Sequence, residues 1–309
     1  HTYHDALTYK TGLLLWLDGA EPKGKNATLA DADIETWIDF SGNGMHAYAS
    51  SNKPSLDTTN TMNGKPCVRF DSTNSEYMSI TDDGTLEPSE ITIFVVVRRE
   101  GLSEWGTIIS KPYYSNGGWI DPYNSYKIHD SGTDRKPRSE IVSSGTNATL
   151  IKPSLVADDI TYIQTLKFSG TEQKLRTYIN SSEFASYIDT AGSSLDYNGS
   201  DGYAKVGIGT RSPHSNGEYY RGHIAEILIY NAPLNDTNRQ AVERYLGLKW
   251  GISGYSDTYT YTDNTDYQNE DLVVDDKSYD SVEVATNVSL ENANTIYVGK
   301  EADSTVTLT

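Results

Sequence analysis

The chain has 309 residues, with 25 Lys and Arg against 43 Asp and Glu, for a formal charge of −18. Such a charge repels nucleic-acid phosphates and anionic membrane surfaces, so neither is an expected partner, and its ordinary consequence is solubility. A single cysteine, Cys67, excludes an internal disulfide, and no apolar run approaches the roughly 18 residues that membrane insertion needs.

A chain of this length buries roughly three quarters of its unfolded surface, enough for a core without staples. Only 36% of residues are hydrophobic, but 23 Tyr and five Trp add large amphipathic side chains. Residues 1–11 are polar. The apolar run GLLLWLDGA (12–20) predicts a central strand. After the loop KGKNATLADAD, IETWIDFSGNGMHAYAS reads as strand, turn and strand around Ser41-Gly42-Asn43-Gly44, where Gly and Asn tolerate positive φ. Asn63-Gly64 is a hairpin signal. It precedes KPCVRFD, where Cys67 reads as a small buried hydrophobe rather than a nucleophile. EYMSI alternates, and ITIFVVVRRE (91–100) is the strongest strand signal. From 101 to 145 the pattern dissolves into aromatic, polar loop. Alternation resumes in ITYIQTLKFSG, KLRTYINSSEFASYI and YAKVGIGTR, and the loop SPHSNGEYYRG follows.

Residues 223–230 predict a buried strand with Ala225, Ile227 and Ile229 on one face. Ile224, Leu228 and Tyr230 take the other, which Glu226 interrupts. After Asn-Ala-Pro, Asn235 or Asp236 caps a helix. Ala241, Val242, Tyr245, Leu246 and Leu248 give that helix one apolar stripe, with Arg and Glu opposite, and Gly251 ends it. Trp16, Trp37 and Trp250 fall in predicted strand or helix and read as core. Residues 1–254 therefore predict an all-β jelly-roll sandwich of two antiparallel sheets with one C-terminal helix. YSDTYTYTDNTDYQNED makes 255–270 a linker. Alternation returns over 271–309, at Val282 and Val284, Val288 and Leu290, Ile296 and Val298, Val306 and Leu308. This segment is expected to be the start of a second small β module of stacked strands, or a tail that assembles with a neighbouring chain by β-strand addition.

Zinc spacings, phosphate loops and nucleophile elbows are absent from the sequence. Sugar hydrolysis requires two carboxylates at controlled separation. Glu35 and Asp39 share a strand face, but Trp37 stands between them and Asp39 better suits a cap for the Ser-Gly-Asn-Gly turn. His1 and His4 offer N-terminal metal ligands. Calcium needs several converging oxygens, for which Asp18, Asp39, Asp71, Asp82 and Asp83 are available. Six Asn-X-Ser/Thr sequons (Asn26, Asn147, Asn180, Asn198, Asn235, Asn287) permit glycosylation in a suitable host.

Sugars present apolar faces that stack on Trp and Tyr while polar neighbours bond their hydroxyls. Two loops have that composition. The first carries Trp105, Tyr113, Tyr114, Trp119, Tyr123, Asn116, Asp121 and Asn124. The second carries Arg211, His214, Asn216, Glu218 and Tyr219. The competing reading is that these aromatics pin long loops onto the sandwich.

WIDFSGNGMHA, KPSL, NGKPCVRFD, EYMSI, TIFVVVRR and GHIAEILIYNAPLNDTNRQAVERYLGLKWGI together resemble the LamG-like, concanavalin A-like jelly-roll domains of large secreted microbial surface proteins. The resemblance spans about 12–252 and is weakest between 101 and 200. It implies a two-sheet sandwich, an extracellular or cell-surface setting, and glycan binding or adhesion, with calcium at a sheet edge in many relatives. The fold hosts lectins, hydrolases, lyases and spacers alike, so it does not by itself assign a function. Uronan lyases of the same fold carry Arg-(Ser/Thr)-Glu and Gln-Ile-His segments, which Arg138-Ser139-Glu140 and Lys127-Ile128-His129 resemble. Here the order is reversed, Lys replaces Gln, and the matching Tyr-Lys-Ala-Gly strand is missing. The expectation is a non-catalytic carbohydrate-binding module, with an assembly subunit and a uronan lyase as alternatives.

Overall fold

The computed structural model describes residues 7, 9–24, 32–49, 51–81, 83–101, 105–113, 123–152, 154–184, 188–190, 192–198, 205–211 and 217–255, and five short strands beyond them. The chain divides into two units, residues 1–252 and 253–309.

The first unit is built from two antiparallel sheets. In the first sheet, Ile91–Arg99 lies between Thr161–Ser169 and Gly222–Tyr230. Beyond the 222–230 strand come Lys65–Phe70, Ser55–Met62 and Ala32–Asp33; beyond the 161–169 strand come Lys174–Ile179 and Ser182–Glu183. The second sheet runs Thr146–Ile151, Lys136–Ser143, Asn124–Ser131, Thr107–Pro112, Val206–Ile208, Met78–Ile80, Ala47–Ala49 and Thr36–Trp37. Between the sheets lies one core that includes Leu15, Trp37, Phe70, Val95, Val97, Ile128, Ile141, Ile208, Ile227 and Ile229. The hairpin at Asn63-Gly64 forms as expected, both residues having positive φ (49° and 70°). Asp39 caps its turn, its carboxylate accepting from the backbone N–H of Trp16, Ser41 and Met45.

Among the described residues the strand Leu13–Asp18 pairs only with Gly222–Tyr230, apart from an isolated bridge to Asp39, so it is buried without being central. The facing of 223–230 also differs from strict alternation. The ladder shifts register between Ile224 and Glu226, so Ile224 joins Ile227 and Ile229 in the core. The extra residue in this bulge, Ala225, resets the alternation. Residues 101–145, expected to be loop, hold three strands of the second sheet. Their core positions, Ile109, Tyr126, Ile128 and Ile141, alternate with Ser110, Lys127, His129, Arg138 and Glu140, a polar face that masks the strand signal.

Helix α1 (Asp236–Trp250) is capped by Asn235, whose Oδ1 accepts from Asn238 N, and ends at Gly251 with φ 65°. Its buried face includes Arg239, Glu243 and Lys249 beside Val242, Tyr245, Leu246 and Trp250, while Ala241 and Leu248 are half-buried. The expected stripe is therefore rotated, because the outer face of the first sheet offers polar partners. Thr165 Oγ1 donates to Glu243 at 2.6 Å, and the Arg239 guanidinium lies 3.9 Å from the Tyr178 ring centroid. Glu226 is fully buried under the helix. It accepts from Trp16 Nε1 (2.7 Å), Tyr245 Oη (2.9 Å) and Trp250 Nε1 (2.6 Å), and pairs with Lys249 Nζ at 2.8 Å. Lys249 also reaches Asp18 at 2.6 Å.

In the second unit, Thr258–Tyr261, Ser281–Val284 and Thr305–Thr307 pair in parallel, as do Leu272–Val274 and Ile296–Val298. Thr258 faces Ser281 and Ser281 faces Thr305, while Leu272 faces Ile296. The Thr258–Tyr261 strand lies within the 255–270 stretch read as linker.

Replacing Glu226 with Ala removes the acceptor of three buried donors and one of the two carboxylates that hold the buried Lys249 ammonium. Removing one partner of a buried ion pair costs about 3–5 kcal/mol, so guanidinium unfolding of Glu226→Ala is expected to show a loss of that order. A loss below about 1 kcal/mol contradicts the assignment.

Candidate functional site

The outer face of the second sheet is charged and largely covered. Register places Lys127 beside Glu140 and Ser110, and His129 beside Arg138 and Thr107. Glu218 reaches this face from the segment preceding the 222–230 strand. Its carboxylate meets Lys127 Nζ at 2.5 Å and Arg211 Nη1 at 3.6 Å. Glu140 accepts from Asn124 Nδ2 at 3.0 Å and pairs with Arg138 Nη2 at 3.1 Å.

Trp105 stacks on His129, with ring centroids 6.0 Å apart and planes at 22°, and the Arg138 guanidinium lies 5.5 Å from the indole. Trp105 is 40% exposed and Tyr123 41%, whereas His129 beneath is 1% exposed. Arg211 sits 6.0 Å from the Tyr123 ring. Both Trp105 and Glu218 have left-handed backbone (φ 58° and 54°), a conformation that costs a non-glycine residue on the order of 1 kcal/mol and concentrates at functional sites.

Several buried polar atoms here have no hydrogen-bond partner among the described residues: His129 Nδ1 and Nε2, Asn124 Oδ1 and Arg138 Nε. His129 Nε2 approaches Glu140 Oε2 at 3.6 Å, too long for a hydrogen bond. Buried polar groups are almost always satisfied, so this concentration makes the face the candidate for receiving outside groups. Burial and then the neighbouring Lys127 ammonium push His129 down to about 4, leaving it neutral at pH 7. Burial works to raise Glu140, but His129, Lys127 and Arg138 outweigh it and hold that carboxyl well below the usual range.

Of the sequence-derived candidates, Trp105, Tyr123, Asn124, Arg211 and Glu218 come together on this face. Tyr113 is half-buried, its backbone N–H donating to Tyr123 O at 3.0 Å. Tyr219 turns to Tyr77 instead, with ring centroids 6.2 Å apart. Tyr114, Asn116, Trp119, Asp121, His214 and Asn216 lie outside the described residues. Lys127, His129, Arg138 and Glu140 fall outside the aromatic-loop composition and stand out in the sequence only as fragments resembling lyase segments. Alternation of charged residues with Tyr126, Ile128 and Ile141 was the available signal.

Among the described residues, no group of three or more His, Cys, Asp or Glu side chains gathers as a metal site. Asp18 binds Lys249, Asp39 caps its turn, and Asp71 and Asp83 accept from Thr73 and Thr85. These four do not assemble the expected calcium site; Asp82, His1 and His4 lie outside the described residues.

A family model described as the concanavalin A-like lectin/glucanases superfamily matches residues 71–238. No curated protein matches the chain in sequence. The fold is similar to the binding domain of Paraclostridial Mosquitocidal Protein 1, with TM-score 0.54 and 13% identity over 77% of this chain and 53% of that one. It is also similar to botulinum neurotoxin type C, whose cell entry is reported to depend on interaction with two ganglioside molecules (TM-score 0.52, 11% identity, 77% and 52% covered). A third similar structure is domain 4 of AbnA, a GH43 extracellular arabinanase from Geobacillus stearothermophilus, in complex with arabinotriose (TM-score 0.50, 14% identity, 73% and 95% covered). The chain spans about half the length of the two toxin chains. At these identities the likeness is one of fold.

The His129 environment has a consequence for stability. Its folded pKa of about 4 lies below the ordinary 6.5, so the unfolded chain binds more protons between those values and stability falls as pH drops through that window. His129→Gln is expected to flatten the urea-midpoint curve there relative to the wild type. Asp130, pushed up to about 6 by burial, acts with the opposite sign but is common to both curves. Parallel curves contradict the assignment.

Proposed function

Because the chain belongs to the concanavalin A-like lectin/glucanases superfamily, we propose that it is a non-catalytic carbohydrate-binding module that works outside the cell, in adhesion or polysaccharide capture. The outer face of the second sheet is its binding surface. One observation carries this reading: exposed aromatic rings at Trp105 and Tyr123 stand beside buried donors and acceptors that lack partners. Such a pairing suits a sugar, whose CH face stacks on a ring and whose hydroxyls both donate and accept. The neutral His129 and the ionised Glu140 supply the two complementary kinds of partner.

In affinity gel electrophoresis, the chain is expected to be retarded by at least one of arabinan, xylan, β-glucan and alginate. Trp105→Ala is expected to weaken that retention at least tenfold, equivalent to about 1.4 kcal/mol, without changing the unfolding midpoint. Running the gels with calcium and with EDTA asks separately whether a metal takes part. Wild-type mobility that no polysaccharide changes, with or without calcium, contradicts the reading.

A uronan lyase is the second reading, and one observation favours it. Lys127-Ile128-His129 and Arg138-Ser139-Glu140 lie on paired strands, with His129 opposite Arg138 and Lys127 opposite Glu140. The binding reading expects alginate incubated with the chain to gain no ultraviolet absorbance. A time-dependent rise that His129→Gln abolishes would replace it with the lyase.

A further inference from the structure

The two residues of the site with left-handed backbone, Trp105 and Glu218, belong to segments more than a hundred residues apart and meet at Thr107. The Thr107 backbone N–H donates to Glu218 O at 2.8 Å. Its hydroxyl lies 3.2 Å from Trp105 O and 3.4 Å from Glu218 Oε2, so its single proton is offered to both. Thr107 is fully buried and forms a parallel bridge with Tyr219. Its register partner is His129, the ring on which Trp105 stacks.

We infer that Thr107 is a positioning residue for carbohydrate binding, a clip that holds the indole of Trp105 and the carboxylate of Glu218 in their binding arrangement. This rests on the binding reading given above. Left-handed backbone persists at a non-glycine residue only where its surroundings enforce it, and Thr107 is bonded to both such residues. Glu218 in turn holds Lys127 and Arg211, so one hydroxyl links the aromatic rim to the charged floor. Preorganisation of this kind raises affinity by reducing what must be ordered when the ligand arrives. A sugar stacking on Trp105 then meets a ring already placed, rather than one that must give up alternative positions.

The test compares Thr107→Val, which keeps the shape and the backbone N–H, with Thr107→Ser, which keeps the hydroxyl. Binding is read by gel retention on whichever of arabinan, xylan, β-glucan or alginate retards the wild type, alongside acrylamide quenching of tryptophan fluorescence. Thr107→Val is expected to weaken retention about fivefold to tenfold and to make Trp105 more quenchable, while Thr107→Ser stays within twofold of the wild type. Trp16, Trp37 and Trp250 are buried, and subtracting the signal of a Trp105→Phe chain isolates Trp105. Should Thr107→Val fail to fold, Thr107→Ala takes its place. Wild-type retention by the hydroxyl-free variant overturns the inference, as does equal weakening in the serine variant. If no polysaccharide retards the wild type, the binding reading has failed, and quenching alone decides the clip: unchanged Trp105 accessibility in Thr107→Val overturns it.

Discussion

The first unit depends on one buried carboxylate. Glu226 sits at full burial between a sheet and a helix, and donors from two separate chain segments satisfy it. A charge in such a place is tolerated only when it is paired and hydrogen-bonded. It therefore dictates where Trp16, Tyr245, Lys249 and Trp250 must stand. The bulge at Ala225 makes this arrangement compatible with a continuous core, because it turns Glu226 outward while Ile224 and Ile227 both remain inward. One irregular residue thus lets a single strand serve the sandwich core on one side and the helix seat on the other.

Covering the first sheet gives the two outer faces different characters. The first carries the helix and is closed by Glu226, Glu243 and their partners. The second has charged residues in alternation with core residues, a rim of exposed aromatic rings, and left-handed backbone at Trp105 and Glu218. The same physics acts on both faces with opposite outcomes. Beneath the helix Glu226 is fully satisfied, whereas on the second sheet His129, Asn124 and Arg138 keep atoms without partners among the described residues. That contrast underlies the proposal that ligand meets the second face.

Much of this fold was legible in the sequence, and the reasons are local. Asn63-Gly64, Ser41 to Gly44, the Asn235 cap and Gly251 each announce a particular backbone geometry, and each forms. ITIFVVVRRE is apolar on both faces because the core lies on one side and the helix on the other. Reading failed where a long-range partner changed the rule. Arg239, Glu243 and Lys249 look like solvent-facing residues until Tyr178, Thr165, Asp18 and Glu226 are brought to them. The strands Thr107–Pro112, Asn124–Ser131 and Lys136–Ser143 looked like loop because their outward face is polar yet buried, a combination that hydropathy cannot distinguish from exposure. The same feature leaves Lys127 and His129 outside the binding-loop composition, although Trp105, Tyr123, Asn124 and Arg211, which that composition picks out, lie on the same face. Convergence of Arg211 and Glu218 onto the Thr107–Pro112 and Asn124–Ser131 strands is a product of topology, which no local pattern encodes.

The most direct test of the central claim is backbone hydrogen exchange of the intact chain, with and without a soluble polysaccharide that retards it. The account predicts added protection concentrated in residues 105–113, 123–131, 136–143 and 217–219, with the helix and the first sheet unchanged. Protection that instead falls on the first sheet, or on residues 253–309, would contradict the placement of the binding surface on the second sheet.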